Sequence, residues 1–346
     1  MADTSSSPIA TLFPGYFALV MATGIVAIGA NQQNLDLLAQ GLYVITVLAY
    51  VVLAVLLASR MIRYWSNFAA DVTNHAKGFA FLTTVAATNV LASASIVIHG
   101  WWNLAWALWW ASLVLWAAFV YTTLIAVVTD RDKPGLQGGI NGSWFLLTVS
   151  TQSIAVVAGL FLTRTDSDAL AFIAIAAFAL GVVLYLIVMT MVFLRWTFHP
   201  LDPTEADPPA WIAAGAVAIT VLAGSNILLA ADQATDRVAR LAPFLEGLVV
   251  TAWATATFWF PLMIAIGIWR HLVRRVPLRY HPSYWAMVFP LGMYGAATYR
   301  MNAAIDFDAL AWLPKIELVV ALSAWTVTFV GLARHLATSR RTTPHG

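Results

Sequence analysis

The stretch YWAMVFPLGMYGAATYRM, residues 284–301, is apolar enough to cross a membrane but poorly built for a straight helix. Phe289 stands directly before Pro290, Gly292 and Gly295 follow, and Arg300 closes the run. Proline has no N–H for the carbonyl of Ala286 and its ring crowds that carbonyl, so the helix is expected to kink there. A freed carbonyl is costly against lipid and tolerable where it faces protein or a water-filled cavity. The stretch therefore predicts an interior helix of a membrane protein, and the rest of the chain has to supply its surroundings.

Composition agrees. The chain is 61% hydrophobic and 10% charged, with mean hydropathy +0.80, whereas a soluble domain is about a quarter charged. The formal net charge of +2 carries no message about nucleic acid, because the basic residues sort by membrane side instead of clustering. With no cysteine, disulfides, thiolate metal sites and cysteine nucleophiles are excluded. No Lys or Arg precedes the first apolar run, so that run reads as an uncleaved span and not a secretory signal.

A helical span needs about 20 apolar residues. Ten segments qualify, at 13–30, 41–59, 79–98, 104–128, 144–162, 169–194, 210–231, 247–269, 284–301 and 313–333. Connections are short, so 1–346 reads as a single transmembrane domain with a short N-terminus (1–12) and a C-terminal tail (334–346). Thirteen of the 18 Lys and Arg fall in the loops after even-numbered spans and in the tail, among them Arg60, Lys77, Arg131, Arg195, Arg274, Arg275 and Arg279. The opposite side holds Arg164, Arg237, Arg240, Arg300 and Lys315. The positive-inside rule then places both termini in the cytoplasm of a multi-pass plasma-membrane protein.

The odd spans each open on an aromatic residue, Phe17, Phe79, Trp144, Trp211 and Trp285, at intervals of one out-and-back hairpin. Seven residues on, all five positions are small: Gly24, Ala86, Thr151, Ala218 and Gly292. The odd spans are also the more polar set, with Thr83, Thr84, Thr88 and Asn89 on span 3 and Thr148, Ser150, Thr151, Gln152 and Ser153 on span 5. Polar groups in a bilayer normally face protein or water. The fold class expected is all-α, five quasi-repeated hairpins with odd helices forming an inner pore ring and even helices an outer one. The competing reading is that small residues allow close helix packing.

YFALVMATGIVAI in span 1 resembles the aromatic-Phe-x-x-x-Met-small-Thr-Gly opening of the tellurite-resistance/dicarboxylate transporter family, and YWAMVFPLG in span 9 resembles its Trp-Ala-x-x-Phe-Pro segment. That family includes bacterial tellurite-resistance proteins, malate and sulfite transporters and plant slow anion channels. The ten-span plan covers essentially the whole chain. The resemblance implies a pore of five inner helices, often one per subunit of a homotrimer. It also implies permeating anions and an occluding phenylalanine, matched here by Phe289. In register, Phe289 shares its column with Met21, Thr83, Thr148 and Gly215, so it is the bulkiest ring at its level.

On this reading Phe289 and Pro290 are the gate, and Gly24, Ala86, Thr151, Ala218, Gly292, Thr83, Thr148 and Gly215 line the pore. A packed core phenylalanine beside a tolerated proline is the alternative. Arg300, with Asn226 at its register on span 7, is a candidate for attracting anions; against it stand snorkelling to headgroups and pairing with Asp306 or Asp308. Glu246 and Glu317 read as residues beginning spans 8 and 10, where carboxylates favour the helix N-terminus.

The expected substrate is a small anion or a C4-dicarboxylate such as malate, with sulfite or tellurite efflux as the alternative. An intramembrane enzyme would need a mid-span nucleophile with a base, or clustered acids and histidines, and none is present. No cofactor is expected: no mid-membrane histidine pair suits haem, no central lysine suits retinal, and no glycine-rich phosphate loop occurs.

Overall fold

Every buried helix begins with a tight turn of 3₁₀ type, and these turns organise the chain. In the computed structural model, which describes residues 7–203, 208–231 and 236–339, the turns are Pro14–Phe17, Gly78–Leu82, Gly142–Phe145, Pro208–Trp211 and Pro282–Tyr284. The register aromatics Phe17, Phe79, Trp144 and Trp211 lie within them, and Trp285 follows the last directly. Proline and glycine dominate these turns because the backbones come close together. A Cβ at Gly142 would lie 2.1 Å from the Pro209 carbonyl oxygen of a neighbouring turn, which only glycine permits.

The helices are α1 (Ala18–Gln32), α2 (Asp36–Arg63), α3 (Trp65–Val72), α4 (Thr83–His99), α5 (Trp102–Thr129) and α6 (Leu136–Gly139). They continue as α7 (Leu146–Leu162), α8 (Asp168–Phe198), α9 (Ile212–Leu229), α10 (Asp236–Ile268), α11 (Trp285–Ile305) and α12 (Leu313–Ser339). No strand occurs among the described residues. Residues 1–6 and 340–346, which belong to the expected cytoplasmic ends, and the side chain of Arg237 lie outside the described residues.

Among the described residues nine helices are long and apolar enough to cross a membrane; α11 is not one of them. Its Pro290, its glycines and its polar end at Arg300 and Asn302 dilute the apolar run. Burial sorts the rest into two kinds. In α1, α4, α7 and α9 with their lead-in turns, 83–100% of the apolar window is buried; in α2, α5, α8, α10 and α12 only 17–28% is. A helix apolar all round and buried all round belongs to the interior, and one apolar but exposed faces lipid. α11 joins the first kind, buried almost continuously from Trp285 to Thr298.

Each buried helix packs along the exposed helix that follows it: α1 with α2, α4 with α5, α7 with α8, α9 with α10, and α11 with α12. The buried helices touch in the order α1, α4, α7, α9, α11, and α11 returns to α1. Aromatic side chains of the exposed helices fasten this circuit. Trp116 of α5 donates to Thr151 at 2.9 Å, Trp253 of α10 to Thr298 at 3.0 Å, and Trp325 of α12 to Thr23 at 3.0 Å. Tyr50 of α2 bonds Thr88 at 2.9 Å. Such bonds contribute about 0.6 kcal/mol each in a membrane. Much of the polarity of the odd spans is therefore spent outward on neighbouring helices.

The exposed helices overrun the expected spans. α2 reaches Arg63, α8 reaches Phe198, and α10 begins at Asp236, so Glu246 stands well inside its helix instead of beginning it. Glu317 stands near the start of α12, as expected.

Candidate functional site: a vestibule and a chamber at Phe289

The five lead-in turns border one vestibule of about 320 Å³. Phe13 and Pro14, Ala76 and Lys77, Asn141 and Gly142, Pro209 and Ala210, and His281 and Ser283 contribute from successive turns. All five buried helices thus present their N-termini to it, each equivalent to roughly half a positive charge. Lys77, paired with Asp71, and Arg195, bonded to the Gln137 and Pro200 carbonyls, also stand in the wall. The vestibule favours anions.

A strap secures its rim. The Arg60 guanidinium, 1% exposed, donates from Nε to the Ala10 carbonyl at 3.1 Å and from Nη1 to the Leu12 carbonyl at 3.0 Å, and it pairs with Asp71. Asp71 also receives the Lys77 ammonium at 2.8 Å. Burial works against the Asp71 carboxylate, but the hydrogen bonds and charges of Lys77 and Arg60 outweigh it and hold the carboxyl below its usual range. His281 accepts at Nδ1 from the Ser283 backbone N–H at 3.2 Å, and burial pushes its pKa down.

Beyond the vestibule, and sharing Phe13, Ala80, Ser143, Pro209 and Ser283 with it, lies an apolar chamber of about 30 Å³. Its far wall includes Met21, Thr83 and Phe289. One helical turn further along the same faces, Ile25 follows Met21 and Met293 follows Phe289, and both line a second cavity of about 10 Å³ with Asn89, Ser93, Ser153 and Ile219. Phe289 lines the first of these cavities and not the second. Its ring is 1% exposed and packs against Gly215, where a Cβ would lie 3.3 Å from Cδ1 and Cε1 and 2.8 Å from Pro290 Cγ. Glycine at 215 makes room for the Phe289–Pro290 pair. Pro290 lies inside a helix that continues to Ile305.

The Phe289 column falls partly on this path. Met21, Thr83 and Phe289 line the chamber, and the Thr83 hydroxyl is turned onto the Ala80 carbonyl at 2.7 Å. Thr148 is fully buried with its hydroxyl unpartnered, and it lines neither cavity.

The small-residue column sits elsewhere. A Cβ on Gly24 would meet Val90 Cγ1 at 2.6 Å and Thr46 Cγ2 at 3.2 Å, and one on Gly292 would meet Ile25 Cγ2 at 2.9 Å. Thr151 takes the Trp116 N–H, and Ala86 and Ala218 are fully buried without lining any of these three cavities. That column is three residues past Phe289's and one short of Met293's, which puts it about 60° and 100° away around the helix. Its members mostly serve helix packing, the competing reading; Gly292 borders a separate small cavity with Ile25, Val26 and Gly295.

Arg300 and Asn226 are brought together. Arg300 Nε donates to Asn226 Oδ1 at 2.9 Å, and Asn226 Nδ2 donates to the Val156 carbonyl at 3.2 Å, tying α11, α9 and α7 at the end away from the vestibule. Among the described residues no carboxylate pairs with Arg300, so the Asp306 and Asp308 alternative does not hold. Sequence reasoning passed over the vestibule roles of Arg60 and Arg195, which had served only to orient the chain. Their signal was arginine placed where an apolar helix ends.

Buried helices that turn their N-termini to a common vestibule, in a chain of membrane-length helices, point to a membrane transport protein. Residues 11–333 match the family described as voltage-dependent anion channel, SLAC1. The chain belongs to this family of anion channels and transporters. It is 43% identical over 158 residues to an uncharacterized membrane protein of Mycobacterium tuberculosis, covering 44% of this chain and 77% of that one. An uncharacterized transporter of Methanocaldococcus jannaschii is 23% identical over 93% of this chain and 92% of its own. A sulfite efflux pump of Trichophyton rubrum is 24% identical over 93% of this chain and 90% of its own. The family is described as a channel, and two of these three relatives as a transporter and an efflux pump.

Proposed function

We propose that small inorganic anions cross between the vestibule and the opposite face along the axis of the five-helix circuit, and that Phe289 is the gate. The five hairpins form an inner and an outer ring, with both termini cytoplasmic in the plasma membrane, so the vestibule faces the cytoplasm. The observation that supports the reading is the Phe289 ring in the far wall of the vestibule-side chamber, one helical turn before Met293 of the cavity beyond and seated on Gly215. An anion needs positive potential at the mouth without a deep trap on the way. The helix N-termini supply the first, and the apolar chamber avoids the second.

The same chamber argues against malate and other C4-dicarboxylates, which need two cationic contacts; no lysine or arginine lines it. Sulfite efflux is favoured over dicarboxylate uptake by the match along 93% of this chain to a sulfite efflux pump. A homotrimer with one path per subunit is the assembly proposed from the family resemblance. An anion series on purified protein in liposomes, comparing chloride, nitrate, sulfite and malate, tests the substrate. Malate flux equal to that of the inorganic anions would overturn the assignment.

A further inference from the structure

The cavity beyond Phe289 has a chemistry that packing alone does not explain. Hydroxyls on the buried helices mostly turn back onto their own backbone, as Thr88 does to the Thr84 carbonyl, Ser95 to Leu91 and Thr220 to Ala216. Ser93 does not. Its Oγ is buried, with the residue 5% exposed, and has no partner. Thr148 and Ser225 share that state among the described residues, but of the three only Ser93 lines the cavity. An unpaired buried hydroxyl costs about 1–3 kcal/mol, so its retention at a cavity wall asks for a ligand.

Asn89, one turn before Ser93 on α4, shares that wall. Its Oδ1 accepts from the Ser112 hydroxyl at 2.9 Å, and its Nδ2 donates to Ser153 Oγ at 2.9 Å. Ser153 in turn donates to the Ser150 carbonyl at 2.7 Å. The acceptor oxygen of the amide is thus engaged, and one of its two N–H groups is not. The remaining wall is Ser153, whose hydroxyl is engaged by Asn89 and the Ser150 carbonyl, and the apolar Ile25, Ile28, Val90, Val156, Ile219, Leu222 and Met293. The wall thus offers two uncommitted, uncharged donors and no carboxylate, a pattern that suits a small anion.

We propose that Ser93 Oγ–H and the free N–H of Asn89 form a subsite that holds one partly dehydrated small anion, of halide or nitrate size, on the far side of Phe289. This rests on the anion path proposed above and deepens it. Two neutral donors replace part of the hydration shell without the depth of a cationic trap, so the ion enters and leaves. The cavity of about 10 Å³ has room for a body the size of a water, and the flexible Met293 side chain supplies the extra space a halide needs.

The test uses bromide. Crystals of the full-length protein grown in bromide should show an anomalous peak within hydrogen-bond distance of Ser93 Oγ, absent in Ser93→Ala. A water alone at that position, an adventitious ion only (a peak unchanged in Ser93→Ala), or no density overturns the subsite. In liposomes, Ser93→Ala placed in the Phe289→Ala background should lower chloride flux roughly tenfold, the effect of losing one charge-assisted hydrogen bond. Melting temperature in anion-free buffer should hold or rise, since Ser93 bonds no other side chain and the substitution removes an unpaired buried hydroxyl. Flux equal to that of Phe289→Ala alone overturns the subsite while leaving the gate intact. A bromide peak with no gating effect at Phe289 would instead sustain the subsite and remove the gate.

Discussion

Arg300 Nε donates to Asn226 Oδ1 at 2.9 Å, joining a charged residue of α11 to an amide of α9 at the end of the helix bundle away from the vestibule. The bond leaves both terminal nitrogens of the guanidinium uncommitted, and no carboxylate among the described residues neutralises it. The end of the bundle away from the vestibule therefore carries a positive charge held in place by a neutral partner.

Arg300→Gln should lower anion flux by about tenfold at low ionic strength, because a fixed charge at a mouth raises the local anion concentration. Arg300→Lys should retain most of it. The gap between wild type and Arg300→Gln should narrow as salt rises, since the field a charge extends to ions approaching through solvent is screened beyond about 3 Å at 1 M. A gap independent of salt would mean that Arg300 acts by packing.

Gly24→Ala and Gly292→Ala should each destabilise the protein by about 1–3 kcal/mol through overpacking, because the new methyl would lie 2.6 Å from Val90 and 2.9 Å from Ile25. Thermal unfolding in detergent measures this. Anion flux through the surviving folded protein should match wild type. Normal stability with reduced flux would restore these glycines to the pore wall.

Gly215→Ala should act differently, by pressing on Phe289 at 3.3 Å and Pro290 at 2.8 Å. Its stability penalty should shrink in the Phe289→Ala background, where the ring is gone and the proline remains. A double-mutant cycle on melting temperature reads the coupling, and strict additivity would show that Gly215 does not seat the ring.

The Asp71 carboxyl is held below its usual range in the folded protein, so it binds protons less readily there than in the unfolded chain. The stability it contributes is then fully present above the unfolded carboxyl range, around pH 4, and is lost as pH falls through the folded value. Asp71→Asn should unfold at lower temperature than wild type at pH 7. The two curves should converge as pH falls below 4. Convergence on raising the pH would contradict the sign.

The five register aromatics, the hairpin spacing and the all-helical class were readable because each repeats a simple physical constraint: an apolar run of membrane length and an aromatic at its edge. Phe289, Met21 and Thr83 were readable through that register too. The small-residue column was misleading because glycine and alanine mark close approach of any kind, and only helical phase shows which neighbour approaches. Phase was hard to fix where each helix starts with a turn tighter than the α-helix that follows. The bonds from Trp116, Trp253 and Trp325 to threonines of the next hairpin carry no one-dimensional signal. Ser93 was invisible for the opposite reason: its significance is a bond it does not make.

The most direct test of the gate is anion flux through Phe289→Ala reconstituted in liposomes, beside wild type at equal protein and with folding confirmed. With Phe289 as the gate, removing the ring opens the far wall of the chamber, so chloride or nitrate flux should rise about tenfold or more, the effect of about 1.4 kcal/mol off a barrier. Flux equal to wild type in intact protein would contradict the account, leaving Phe289 a packed core residue and placing the barrier elsewhere.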